Sequence, residues 1–115
     1  MNFGTPSTTQ CVFLQLFRDT TQIFMGDVAS NRIRSTTSNY TAPINNRSWW
    51  QASPMYLDSP STTSAVAYSF KWRGESTATQ YLNRTAYDGD EGGSDGVTSY
   101  DPRTASSITV WEVLA

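Results

Sequence analysis

The sequence predicts an all-β chain folded as a two-sheet antiparallel sandwich. Three observations predict it. Short apolar or alternating runs are separated by clusters of Gly, Pro, Asn, Asp and Ser. No segment shows the 3.6-residue periodicity of an amphipathic helix. Polar character comes from hydroxyls, with 31 Ser and Thr among 115 residues, while charged residues are only 16% against roughly 25% in typical soluble domains.

The elements follow in order. "QCVFLQLFRD" (residues 10–19) is short, β-rich and almost continuously apolar, so it reads as a strand covered on both faces. "TQIFMGD" follows a polar "DTT" and reads as its hairpin mate, closed by Gly26 and Asp27. Residues 28–47 read as a polar connector holding Pro43 and several Asn. "SWWQASPMYLD" (48–58) reads as a third strand, bent at Pro54. "AVAYSFKW" (65–72) alternates, with Val66, Tyr68, Phe70 and Trp72 on one face. "TATQYLNRT" (77–85) is a fifth strand, and "SSITVWEVL" (106–114) is the sixth. The expected core joins Val12, Leu14 and Leu16 to Val66, Phe70 and Ile108, with Val110 and Trp111 at the core or an oligomer contact. Replacing Phe70 by Ala is expected to cost about 3–5 kcal/mol.

Composition excludes several functions. One domain fits the length, with residues 1–9 as an N-terminal tail and 10–114 as strands and loops. A net charge of -2 and a pI near 4.8 lack the basic stripe of a nucleic-acid binder. No window approaches the roughly 20 apolar residues of a membrane span, and the first residues do not read as a signal peptide. Cys11 stands alone in an apolar run, which fits a small buried hydrophobe better than a ligand or nucleophile. With no histidine, the chain lacks the usual general base near neutral pH and the usual partner of a catalytic Ser or Cys. The expectation is therefore a protein that is not an enzyme.

Four motifs in order carry a family resemblance. They are "LFRDTTQIFMGD" with "NRIRST" after it, "YLDSPSTTSAVAYSFKW", "TQYLNRT", and "RTASSITVWEV". Together, spanning Val12 to Val113, they resemble the C-terminal tumour necrosis factor-like jelly-roll domain of bacteriophage tail-fibre or capsid-decoration proteins, of the kind seen in marine and cyanobacterial phages. The resemblance implies a jelly-roll-like sandwich, a homotrimer, a virion location, and contacts with other virion proteins. It also implies strands before residue 10 that this chain does not show, since a full jelly roll has eight.

Two places look able to carry chemistry. "YDGDEGGSDG" gathers Asp88, Asp90, Glu91 and Asp95 in a Gly-rich loop, and hard carboxylate oxygens there suit Ca²⁺, although the spacing is not that of an EF-hand. The plainer reading is a solvated connection kept soluble by its charge, with no cofactor. The second place is the aromatic surface. Trp49 and Trp50 are adjacent, so on a strand one enters the core and the other faces outward. Tyr40, Tyr87 and Tyr100 fall in expected loops, with Arg47 nearby in sequence. Tyr40, Arg47, Trp49, Tyr87 and Tyr100 are therefore the contact candidates, for a host surface glycan stacked on an aromatic ring. The same rings suit a protein interface.

Two function classes compete. One is a fibre or receptor-binding module that attaches to a host surface structure. The other is a capsid decoration or fibre cap whose work is to hold an assembly together. Polysaccharide cleavage would need a carboxylate pair across a cleft, and the acids cluster in one loop instead. The final alternating run also predicts that the chain is not a stable monomer. Its Ile108 and Val110 face one way and its Trp111 and Val113 the other. The 10–19 strand is expected to pair it on one side, and a neighbouring segment of another subunit on the other.

Overall fold

The structure, a computed structural model, describes residues 1–4, 10–41, 49–75, 79–85 and 103–113, with the side chains of Gln10, Thr41 and Trp49 outside that description. Seven strands and no helix occur among the described residues. They are β1 (Asn2–Gly4), β2 (Gln10–Arg18), β3 (Thr21–Ile23), β4 (Thr37–Thr41), β5 (Trp49–Gln51), β6 (Tyr68–Gly74) and β7 (Tyr81–Leu82). Two antiparallel sheets result, one ordered β5-β1-β7 and the other built around β2. The fold is an all-β, sandwich-like one.

The strand β2 organises the larger sheet because it is long and apolar. On one side it pairs with β6 along most of its length, from Val12↔Gly74 to Arg18↔Tyr68. On the other side it is shared by β4, through Gln10↔Thr41 to Leu14↔Thr37, and by β3, through Leu16↔Ile23 to Arg18↔Thr21. Side chains alternate as a strand requires. Val12, Leu14 and Leu16 are buried, while Cys11, Phe13, Gln15 and Phe17 on the opposite face are half-buried. The Arg18↔Thr21 pair leaves a two-residue turn, Asp19-Thr20, in which Asp19 adopts φ 51°. Asp tolerates that left-handed conformation better than most residues.

The core sits between the two sheets. Phe3, Leu14 and Ala52 form its buried centre, with Met1, Trp50, Phe70 and Leu82 packed against them. Phe3 is fully buried. Its ring stacks on Trp50 at 4.9 Å between centroids and meets the edge of Trp72 at 6.0 Å. It thereby ties β1 and β5 of one sheet to β6 of the other. Of the expected core, Val12, Leu14 and Leu16 are buried, Phe70 lies half-buried against the cluster, and Val66 is half-buried outside it.

Several sequence expectations are corrected. Residues 1–9 were expected to be a tail, yet Asn2–Gly4 is the central strand of the smaller sheet, paired with both β5 and β7. The connector expected over 28–47 contains β4, an edge strand that uses Thr37 and Tyr40 rather than an apolar alternation. The strand expected over 48–58 shrinks to three residues, because Met55 and Leu57 turn outward, 91% and 85% exposed. The strand expected over 65–72 shifts to Tyr68–Gly74, and that over 77–85 shortens to Tyr81–Leu82 plus an isolated Arg84↔Arg103 bridge.

The largest correction concerns residues 106–114. Residues 104–113 form no strand, and Ile108, Val110, Trp111 and Val113 are all exposed, Trp111 by 84%. They are not part of this chain's core. The physical reason is that β2 has no side left to offer. β6 occupies one edge of it and β3 with β4 occupy the other.

Gly4 is required by a close approach. A Cβ there would run into the carbonyl oxygen of Arg84 and lie 2.9 Å from Thr85 Cα, and both atoms are backbone. Gly4→Ala should therefore lower stability by about 1–3 kcal/mol, the usual cost of overpacking. Urea unfolding measures it, and an unchanged midpoint would place β7 further from β1.

Candidate functional site

Two of the sequence motifs converge on one polar cluster. Arg18 ends β2, Tyr68 opens β6, and Asp58 lies in the segment between β5 and β6. The Arg18 guanidinium donates through Nη1 to both Asp58 oxygens, at 3.1 and 3.0 Å. Tyr68 donates its hydroxyl to Asp58 Oδ2 at 2.8 Å. Next to them, Asp19 accepts from the Ala67 N–H at 2.9 Å through Oδ1, and its own N–H donates to the Ala67 carbonyl at 2.7 Å. Thus "RD", "LDSP" and "AVAYSF" meet, although Arg18 and Asp58 are 40 positions apart.

Electrostatics explains what the cluster does. Burial pushes the Asp58 carboxyl up, but the Tyr68 hydroxyl, the Arg18 guanidinium and the Ser59 N–H outweigh it and hold the acid below its ordinary range. Donation to Asp58 in turn pushes the Tyr68 phenol up. An acid held ionised by two donors is a clamp, and it is the wrong state for a general acid. The cluster pins the long segment after β5 onto the β2–β6 ladder.

A depressed carboxyl has a definite pH signature. Asp58 stabilises the fold above its unfolded-state value of about 3.9, and that contribution is lost as pH falls through the lower folded-state value. Asp58→Asn should cost on the order of 1–3 kcal/mol at pH 7. The gap to the parent chain should narrow below about pH 4. Urea midpoints at pH 7 and pH 3 measure both, and parallel curves for the two proteins would deny the clamp.

The "GD…NRIR" turn is also structural. Arg34 Nε donates to the Gly26 carbonyl at 2.7 Å, while its own carbonyl accepts from Gln15 and Gln22 side chains at 3.0 and 2.9 Å. Thr36 Oγ1 accepts from Leu16 N–H and donates to the Phe24 carbonyl, both at 2.9 Å. Residues 24–36 are therefore laced to β2 and β3. Cys11 is half-buried, and burial together with Glu75 pushes its thiol up, away from the thiolate a nucleophile needs.

The contact candidates scatter. Tyr40 is exposed, but it stands on the β4 strand opposite Cys11 and not in a loop. Trp49 lies on β5, with its side chain outside the described residues. Trp50 is the member of the pair that packs on the core. Arg47, Tyr87 and Tyr100 lie outside the described residues, as do Asp88, Asp90, Glu91 and Asp95 of the acidic loop. No group of three or more Cys, Asp or Glu able to hold a metal occurs among the described residues.

One feature was not visible in the sequence, and a second was expected there as a paired strand. An open groove of about 450 Å³ runs beside Asn2, Trp50, Gln51 and Thr104. Trp50 Nε1 and Thr104 Oγ1 are buried there without a hydrogen-bond partner among the described residues. The other feature is the apolar run at 107–113. Ser106 is anchored, donating its hydroxyl to Asn83 Oδ1 and accepting from the Asn2 N–H, and Thr104 N–H donates to the Asn83 carbonyl. Beyond Ser106, exposure rises from Ile108, 47% exposed, to Trp111, 84% exposed, and Val113 is 78% exposed. Compared with known proteins, the chain matches no family model, no curated protein and no solved structure.

Proposed function

We propose that this chain is a non-catalytic structural module of a virion surface, of the capsid-decoration or fibre-cap kind, that works by cohering with further copies of itself. The observation that carries the reading is the exposed apolar run at 107–113. An isolated soluble chain rarely leaves such a run uncovered, and contiguous exposed apolar surface marks an interaction site. The dimensions agree with this reading. The Cα radius of gyration is 17.0 Å, against roughly 13 Å for a compact chain of about this length. The order of the four motifs supplies the viral part of the proposal. Native mass spectrometry of the intact chain tests it. A trimer or larger homo-oligomer supports cohesion, and a lone chain across micromolar concentrations removes it.

A second reading, attachment to a host glycan, draws on the groove beside Trp50. The Trp50 indole and the Asn2 and Gln51 side chains line it and offer an aromatic wall and polar partners. A glycan array with the parent chain and Gln51→Ala separates the readings. Binding lost in the variant supports attachment through this groove, and no binding by the parent leaves cohesion alone.

A further inference from the structure

We infer that residues 107–113 of one copy add as a strand to the outer edge of β6 in a second copy. The inference rests on the cohesion reading above and names its surface. Among the described residues, β6 is paired only with β2, so no described strand takes up its other edge. An unpaired edge is a template for another chain. The run 107–113 alternates as a strand should.

Chemistry chooses the phase. On β6, Phe70 and Trp72 share one face, with Phe70 on the core and Trp72 on the Phe3 ring; Lys71 and Arg73 share the other and are exposed. On the run, Trp111 and Val113 share a face opposite to Ile108, Val110 and Glu112. An antiparallel register with Glu112 across from Lys71 sets Trp111 across from Trp72 and Val113 across from Phe70. The aromatic face then extends the core layer, and Glu112 meets the two cations. Val110 then faces Arg73, in the same row as the half-buried Phe13 of β2, and Ile108 faces Glu75. The register thus gives the Trp111 and Val113 face of the run apolar cover. It also gives opposite charges facing partners, which stabilise a strand pair.

Single-cysteine chains test it, in a Cys11→Ser background that removes the native thiol. Lys71→Cys and Glu112→Cys chains are mixed under mild oxidation and read on non-reducing gels. Both positions are exposed, so neither change disturbs the core. The expected result is a 71–112 mixed disulfide forming several-fold faster than either like pair. In addition, Glu112→Lys should weaken association about fivefold, and Lys71→Glu in the same chain should restore it. If the chains associate but 71–112 forms no faster than like pairs, this contact is wrong while cohesion stands. If a chain carrying both Lys71→Cys and Glu112→Cys closes on itself as a monomer, the run docks on its own β6 and the inference falls. If the unmodified chain does not associate at all, the cohesion reading fails and takes this one with it.

Discussion

Phe3→Ala should remove about 3–5 kcal/mol of stability, the usual cost of emptying a fully buried aromatic site. That is a large share of the 5–15 kcal/mol typical of a small domain. The reason lies in where the ring sits. Phe3 comes from the central strand of the smaller sheet and touches Trp50 on β5 and Trp72 on β6. Truncation therefore opens a cavity between the sheets rather than at an edge. Phe3→Leu should recover part of the loss, because it refills part of the volume. Leu57→Ala, at an exposed position, should change stability by less than about 0.5 kcal/mol. Urea midpoints at one fixed protein concentration measure the set, since any association shifts apparent stability. A Phe3→Ala loss below about 1 kcal/mol would mean that the ring is not at the centre of the core.

The double substitution Trp111→Asp, Val113→Asp should weaken self-association by at least roughly 100-fold, the effect expected when an aromatic anchor is lost from an interface. Both side chains are exposed in the single chain, so its own core loses nothing. Burying two carboxylates against Phe70 and Trp72 of a neighbour would be costly instead. Melting of the dissociated chain should stay close to the parent's under the same dissociating dilution. Sedimentation velocity across concentrations gives the association constant. Equal association by parent and variant would place the cohesive surface elsewhere.

How much of this was legible in the sequence depends on how each element is held. The strand β2 was readable because its apolar run is continuous, and its hairpin with β3 because "DTT" sits between two apolar segments. The strand β1 was not, since three residues of "NFG" have no periodicity and gain strand structure only from β5 and β7 on either side. The strand β4 escaped notice because an edge strand with one wet face can be built from Thr, Ser and Asn. The alternation at 106–114 was read as a strand needing cover on both faces, but 104–113 forms no strand and its large apolar side chains are exposed. It was assigned to the wrong neighbour, because periodicity says that a partner is needed and never which one. For the polar cluster, "RD" and "LDSP" were picked out as motifs, but their meeting is a tertiary event that no local pattern encodes. The groove beside Trp50 is likewise a product of three distant segments, at residues 2, 50–51 and 104.

The central claim, that this chain functions by joining copies of itself through its exposed run, is tested most directly by light scattering at micromolar concentration combined with amide exchange. The account predicts a mass of at least three times 12.8 kDa, with exchange at 107–113 slowed in the assembly and fast after dilution. A mass of 12.8 kDa with slow exchange along 107–113 would contradict it, because the run would then be covered within a single chain.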